Sequence, residues 1–272
     1  VPEAMQCVAG DTVLFAEREP GPSSSAIFLH AGVCDRRSWL GVMQELVGTV
    51  EMVAYDRRGF GETPISPSTF RHIDDLAAVV RHVAAEPVWL VGSSQGGRVA
   101  IDTALAYPEL VAGLILLAPA VSGAPDVDDL DPATEELDEL ISAAEASGDS
   151  AEVNRLEARL WLDGPGQPEG RVDGPSRQLL LEMNGLLLRN PAADGSGDSG
   201  INAWERLSEL QVPTTVAWGN LDVPLIVDEC AEIATRIPRA RRQVFPEMAH
   251  LPYLENAPVV AELIRGALIG VT

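Results

Sequence analysis

The sequence predicts an α/β fold: a mostly parallel sheet flanked by helices, with an inserted helical cap. Three observations carry that reading. Short apolar runs bounded by turn residues recur at residues 26–29, 50–55, 88–91, 114–117, 214–218 and 242–245. Stretches with apolar residues at helical spacing alternate with them. Between residues 122 and 210 the rhythm breaks, because no convincing strand is legible and three helical patterns follow one another. Such alternation implies parallel strands joined by helices, with the reactive loops at the carboxyl ends of the strands.

In chain order, residues 12–17 alternate apolar and polar as a strand does, and 26–29 form a short apolar strand that runs into His30-Ala31-Gly32. The strand at 50–55 ends at Asp56. Residues 73–85 present Ile73, Leu76, Ala77, Val80 and Val83 on one helical face, and Pro87 stops that helix before the strand at 88–91. A turn, Gly92-Ser93-Ser94-Gln95-Gly96, leads into a helix expected at 97–107, and a buried strand follows at 114–117. Helices are then expected at 132–146, 151–162 and 175–188, followed by a glycine-rich loop at 190–200 expected to be mobile. Strands at 214–218 and 242–245 resume the sheet. This divides the chain into a core of residues 1–121 and 211–272 and a helical cap of residues 122–210.

Composition narrows the function classes. The net charge of −22 repels polyphosphate and anionic lipid, so neither nucleic acid nor a membrane is an expected partner. All 19 basic residues are arginine, which excludes Schiff-base chemistry and a Ser-Lys pair. The cysteines, Cys7, Cys34 and Cys230, are widely spaced, and the histidines, His30, His72, His82 and His250, form no ligand pair. Neither a metal nor a cofactor is expected. The acidic run 126–131 lacks the glycine and terminal glutamate of a calcium loop and reads as a solvated face. Residues 1–5 lack a basic region leading into an apolar core, so no secretory signal is expected, and a soluble, cytoplasmic protein is. Oligomeric state is not legible.

The turn around Ser94 carries the chemistry. A Gly-x-Ser-x-Gly between strand and helix forces the backbone into a tight bend and exposes the hydroxyl at the top of the sheet. That hydroxyl needs a base and an acid, each at a strand end later in the chain. His250, just past the last strand, is the candidate base; capping the final helix is its alternative role. Asp222, in Trp218-Gly219-Asn220-Leu221-Asp222-Val223-Pro224, is the candidate acid that holds the imidazole tautomer, against an Asx turn before Pro224. Asp126 is the fallback acid, and Glu255 reads as a cap of the terminal helix. The oxyanion needs two backbone N–H donors, for which Gln95 and Gly32 are the candidates, with Val33 second to Gly32. His30 reads as a turn-stabilising residue and Cys34 as a buried structural thiol. Trp161, Met183, Leu187 and Trp204 of the cap read as packing residues rather than site residues.

Together these segments resemble the α/β-hydrolase family over nearly the whole chain: His30-Ala31-Gly32, Tyr55-Asp56-Arg57-Arg58-Gly59-Phe60-Gly61, Gly92 to Gly97, Gly219 to Asp222, and His250 to Pro258. The resemblance implies a structural role near the site for the Asp56 to Gly61 segment. Serine rather than aspartate at position 94 sets the chain apart from the haloalkane dehalogenase and epoxide hydrolase branches, and the His-Gly-Gly-Pro-Gly turn of proline iminopeptidases is absent. Enol-lactonases and carboxylesterases are closest in layout. The activity expected is hydrolysis of a small carboxylic ester or lactone through an acyl-enzyme. A C–C bond (diketone) hydrolase or a cofactor-free perhydrolase on the same triad is the alternative, and a non-catalytic small-molecule binder is the third reading.

Overall fold

The computed structural model describes residues 2–22, 25–65, 68–125, 130–189 and 197–270. The chain opens with an antiparallel hairpin, β1 (Glu3–Ala9) and β2 (Thr12–Glu19), turned at Gly10 and Asp11. The first of these strands is not among the sequence expectations. It is an edge strand that buries Cys7 and Ala9 on one face and leaves Glu3, Ala4, Gln6 and Val8 exposed, so its apolar pattern is weak.

The remaining strands are β3 (Ser25–Leu29), β4 (Glu51–Tyr55), β5 (Val88–Ser93), β6 (Val111–Leu117), β7 (Thr214–Gly219) and β8 (Arg241–Phe245). They complete an eight-stranded sheet in the order β1-β2-β4-β3-β5-β6-β7-β8. β2 pairs antiparallel with β4, and every pairing from β4 to β8 is parallel. The crossovers carry α1 (Leu40–Glu45), α2 (His72–Val83) and α3 (Gln95–Ala106). Between β6 and β7 lie α4 (Pro132–Ser147), α5 (Ser150–Ala158) and α6 (Pro175–Arg189), with no strand among the described residues of that insertion. α7 (Pro224–Arg236), the short α8 (Pro252–Glu255) and α9 (Ala257–Ile269) complete the chain.

Strand alternation divides the core between the two faces of the sheet. Ile27, Leu29, Val53 and Tyr55 join one buried cluster with residues of α2, α3 and α7, whereas Ala26, Phe28, Met52 and Ala54 join a second with residues of α1 and α9. Because both faces are covered, the central strands read as continuous apolar runs. Ala203, Trp204, Leu207 and Leu210 belong to the first of these clusters, together with Leu114 and Val216.

Several boundaries move for identifiable reasons. α3 begins at Gln95 because the bend at Ser94 is itself the helix start. The helix expected at 151–162 ends at Ala158 and continues as a single π-helical turn, Arg159–Asp163. Of the loop expected at 190–200, residues 190–196 lie outside the described residues. The described part is tied down: Gly197 bridges Arg71, and Ser199 donates to Asp102 at 2.6 Å. Asp131, at the end of the acidic run, accepts from the N–H groups of Ala133 and Thr134 and caps α4. No helix of the described residues is long and apolar enough to cross a membrane.

Candidate active site

Ser94 sits at the junction of β5 and α3 with φ +51° and ψ −119°, a backbone state that L-residues rarely adopt. The neighbouring glycines make it possible. A Cβ on Gly92 would lie 2.6 Å from the carbonyl oxygen of Gly96, and one on Gly96 would lie 2.7 Å from that of His30. The bend is pinned to the end of β6, since the N–H of Ser94 donates to Leu117 O at 3.0 Å and Ser94 O accepts from Ala120 and Arg98.

Asp222 follows β7 and His250 follows β8, and hydrogen bonds join the two loops. Leu221 N donates to Met248 O at 2.9 Å, and Glu247 N donates to Asn220 Oδ1 at 2.7 Å. Both side chains are buried, and His250 Nδ1 lies 2.8 Å from Asp222 Oδ2. The second carboxylate oxygen, Oδ1, accepts from Val223 N at 2.8 Å. The turn contact and the histidine contact therefore coexist on one carboxylate. With Nδ1 facing the carboxylate, Nε2 is the nitrogen left to exchange a proton elsewhere. Asp126, the fallback acid, lies outside the described residues.

Ser94 and His250 line one cavity of about 260 Å³. The loop after β3 contributes Ala31, Gly32 and Val33 to it, and Gln95 completes its floor beside the serine. The backbone N–H groups of Gly32, Val33 and Gln95 have no acceptor among the described residues and so remain available to an oxyanion. His30, fully buried, lies behind this loop. Its Nε2 accepts from Arg57 N at 3.2 Å and its Nδ1 lies 2.8 Å from Ala31 O, a turn-stabilising arrangement that burial keeps neutral by holding its pKa well below the usual range. Cys34 is buried against Tyr253, and burial pushes its thiol up to about 12, far from a nucleophile's range.

The Asp56 to Gly61 segment is joined to the loop after β3 through Arg57, which bonds to His30 and Ala31. Asp56 accepts from Arg36 N and Glu62 N and pairs with the Arg36 guanidinium, while Arg58 pairs with Asp75 and Asp11. Arg57 differs: it is 1% exposed and has no carboxylate partner among the described residues. It donates to the carbonyls of His30 and Ala31 and to Gln95 Oε1, each at 3.3 Å, with its guanidinium 4.4 Å from the centre of the Phe60 ring.

The helical insertion contributes Glu157, Trp161 and Leu187 to the cavity. The Trp161 ring packs on His250 with centroids 4.8 Å apart, carried there by the π-helical turn. Single π turns inside helices are uncommon and often fall at functional sites. Of the four apolar residues read as packing, Trp161 and Leu187 face the site. Met183 and Trp204 do not: Met183 accepts from Asp35 N through Sδ, and Trp204 stacks with Arg236. Glu157 was not among the candidates, and helical spacing alone carries no signal that would single it out. Glu255 corrects an expectation. It does not cap the terminal helix, which Asn256 does; it accepts from Ala249 N at 2.6 Å and pairs with Arg171 of the insertion, thereby fixing the His250 loop.

A larger groove, about 950 Å³, runs along α6 and is lined by Arg37, Arg177 and Arg189 among others, but none of the reactive groups faces it. No group of three or more His, Cys, Asp or Glu side chains placed to hold a metal ion is found among the described residues.

A parallel sheet with a strained serine bend after β5, an acid after β7 and a histidine after β8 is the architecture of the α/β hydrolases. Residues 26–263 match the alpha/beta hydrolase family, and the chain belongs to it. Among its relatives, a Bacillus subtilis (strain 168) protein provisionally named 2-succinyl-6-hydroxy-2,4-cyclohexadiene-1-carboxylate synthase is 26% identical over 96% of this chain and 97% of that one. The pimeloyl-[acyl-carrier protein] methyl ester esterase of Aliivibrio salmonicida (strain LFI1238) is 24% identical over 93% and 95%. Among solved structures, a thermophilic esterase from Thermogutta terrifontis superposes with a TM-score of 0.79 at 24% identity, covering 99% of each chain.

Proposed function

We propose that this protein is a serine hydrolase that cleaves a small carboxylic ester or lactone through an acyl-enzyme, without a cofactor. The observation that carries the reading is the His250 Nδ1 to Asp222 Oδ2 contact of 2.8 Å behind a cavity that Ser94 and His250 share. In the proposed path His250 Nε2 takes the Ser94 proton as Oγ attacks the carbonyl carbon. Asp222 holds the tautomer and stabilises the imidazolium that forms. The N–H groups of Gln95 and Gly32 receive the oxyanion. Collapse expels the alcohol, protonated by His250, and water repeats the sequence on the acyl-enzyme. A cavity of about 260 Å³ falls below the range of roughly 300–1,000 Å³ typical of ligand pockets, which favours a small substrate.

Labelling with a fluorophosphonate probe, alongside turnover of p-nitrophenyl acetate, tests this reading. Native protein should be labelled once, at Ser94, and should hydrolyse the ester, whereas Ser94→Ala should do neither. Folded native protein that resists labelling and turns over no ester would show a binder rather than a hydrolase.

A further inference from the structure

Among the described residues, Glu157 is the one carboxylate that lines the cavity holding Ser94 and His250. Its Oε2 accepts from Asn184 Nδ2 at 2.6 Å, and the same amide nitrogen donates to Asn154 Oδ1 at 3.0 Å. Asn154 in turn donates to Leu181 O at 2.8 Å, so the chain of donors is oriented and presents Glu157 as an acceptor. No cation pairs with Glu157 among the described residues: the neighbouring Arg155 is engaged by Glu152 and Glu169. Glu145 adds negative charge nearby, and burial together with that neighbour raises the Glu157 pKa above its usual value.

The rest of the cavity wall leaves little else for a substrate's polar group to meet. Ser94 and His250 react, and the free N–H groups of Gly32 and Gln95 are assigned to the oxyanion. The Gln95 side-chain oxygen is engaged by Arg57, the Val33 N–H, the Gln95 amide nitrogen and the Trp161 indole N–H are donors, and the Ala31 and Leu187 side chains are apolar, which leaves Glu157 as the acceptor. We infer that Glu157 is a specificity-determining residue: it accepts a hydrogen bond from a hydroxyl, amide N–H or ammonium group on the ester or lactone, and turns away substrates that carry a second carboxylate. This rests on the hydrolase reading above and adds the substrate class to it. An unpaired, half-buried carboxylate repels a like charge strongly and is itself better solvated by a bound donor.

The test compares kcat/KM, followed by proton release at pH 7.5, for two sets of near-isosteric esters. One varies the alcohol, as propyl, 2-hydroxyethyl and carboxymethyl butyrate; the other varies the acid, as ethyl pentanoate, ethyl 4-aminobutyrate and monoethyl glutarate. In at least one set the donor-bearing ester should lead, and the carboxylate should trail the neutral ester about tenfold or more. In Glu157→Gln, which keeps shape and the Asn184 contact, that carboxylate penalty should shrink to less than about threefold. The ratio is taken within one enzyme, so changes in folding or overall rate divide out. Equal turnover of neutral and carboxylate esters by native protein, or an unchanged ratio in Glu157→Gln, overturns the assignment of Glu157 while leaving the hydrolase reading intact. Absence of turnover of every ester together with absence of Ser94 labelling overturns the hydrolase reading itself, and the specificity assignment with it.

Discussion

Arg57 Nη1 donates to Gln95 Oε1 at 3.3 Å, so a buried guanidinium holds the side chain of the residue that follows Ser94. The same group also holds the carbonyls of His30 and Ala31, and thus ties the two loops whose N–H groups flank Ser94. Burial lowers its pKa to about 10, which still leaves it charged at neutral pH. Arg57→Met should strand the His30 carbonyl, at a cost of about 1–3 kcal/mol for that unsatisfied acceptor, whereas Ala31 O keeps the Cys34 N–H and the His30 ring. It should also lower kcat about tenfold to a hundredfold with little change in KM, because a loosened oxyanion site weakens the transition state more than the ground state. Urea unfolding and steady-state kinetics on p-nitrophenyl acetate check both parts. An unchanged kcat in a destabilised variant would reduce Arg57 to a purely structural residue.

Trp161 packs on His250 and closes one wall of the cavity. Ring–ring contacts of this kind are worth about 0.5–1.5 kcal/mol, so Trp161→Ala should lower kcat/KM on an acetate ester by roughly threefold to tenfold. Removal of the indole also enlarges the cavity, and the preferred acyl chain should lengthen. Trp161→Phe should retain most of the native rate. A chain-length series of p-nitrophenyl esters, C2 to C8, measures both effects.

Gly164 joins the helical insertion to the acid loop. It has φ +92°, and a Cβ there would overlap the carbonyl of Leu221, next to Asp222. Gly148 also has positive φ, +74°, but a Cβ there meets nothing within 4 Å. Gly148→Ala should therefore cost only backbone strain, about 1 kcal/mol, whereas Gly164→Ala should cost about 2–4 kcal/mol and reduce activity by displacing the acid loop. Thermal melts and ester turnover of the two variants give the comparison; equal losses would remove the steric argument.

His72 is buried with Nδ1 unpartnered, and burial, reinforced by the charges of Arg57, Arg98 and Arg58, holds its pKa well below the ordinary value. The folded state therefore stays neutral at this position while the unfolded chain gains a proton below about pH 6.5. Its contribution is fully present above that pH and is lost as the pH falls through it. Between pH 7.5 and 5.5 the loss amounts to about 1.4 kcal/mol. The stability difference between the native protein and His72→Gln, from urea unfolding at those two pH values, should narrow by that amount at the acid end. A constant difference would mean that His72 binds its proton equally in both states.

Much of the architecture was legible because its cause is local. Apolar runs such as 88–91 are strands whether or not their neighbours are known, and Pro87 and the glycines around Ser94 mark where the backbone must stop or bend. Glu3–Ala9 was not legible, since an edge strand buries only one face and Cys7 and Ala9 are too few to set a period. Glu255 shows the same limit from the side of hydrogen bonding. Its place before the final helix suggested a cap, but a carboxylate within reach of Ala249 N and the Arg171 guanidinium takes those stronger partners, which come together only in the fold.

By itself the sequence determined the kind of sheet and the positions along it where Ser94, Asp222 and His250 stand, because each is set by a strand end and a turn composition within a few residues. Tertiary structure decided which side chains meet there. That Asp222 reaches His250, that Arg57 stands without a carboxylate partner among the described residues while it holds Ala31 and Gln95, and that Glu157 and Trp161 enter the cavity from the helical insertion all depend on packing between segments far apart in the chain. A helical pattern states which residues share a face. Only the docking of that helix on another element states what the face touches.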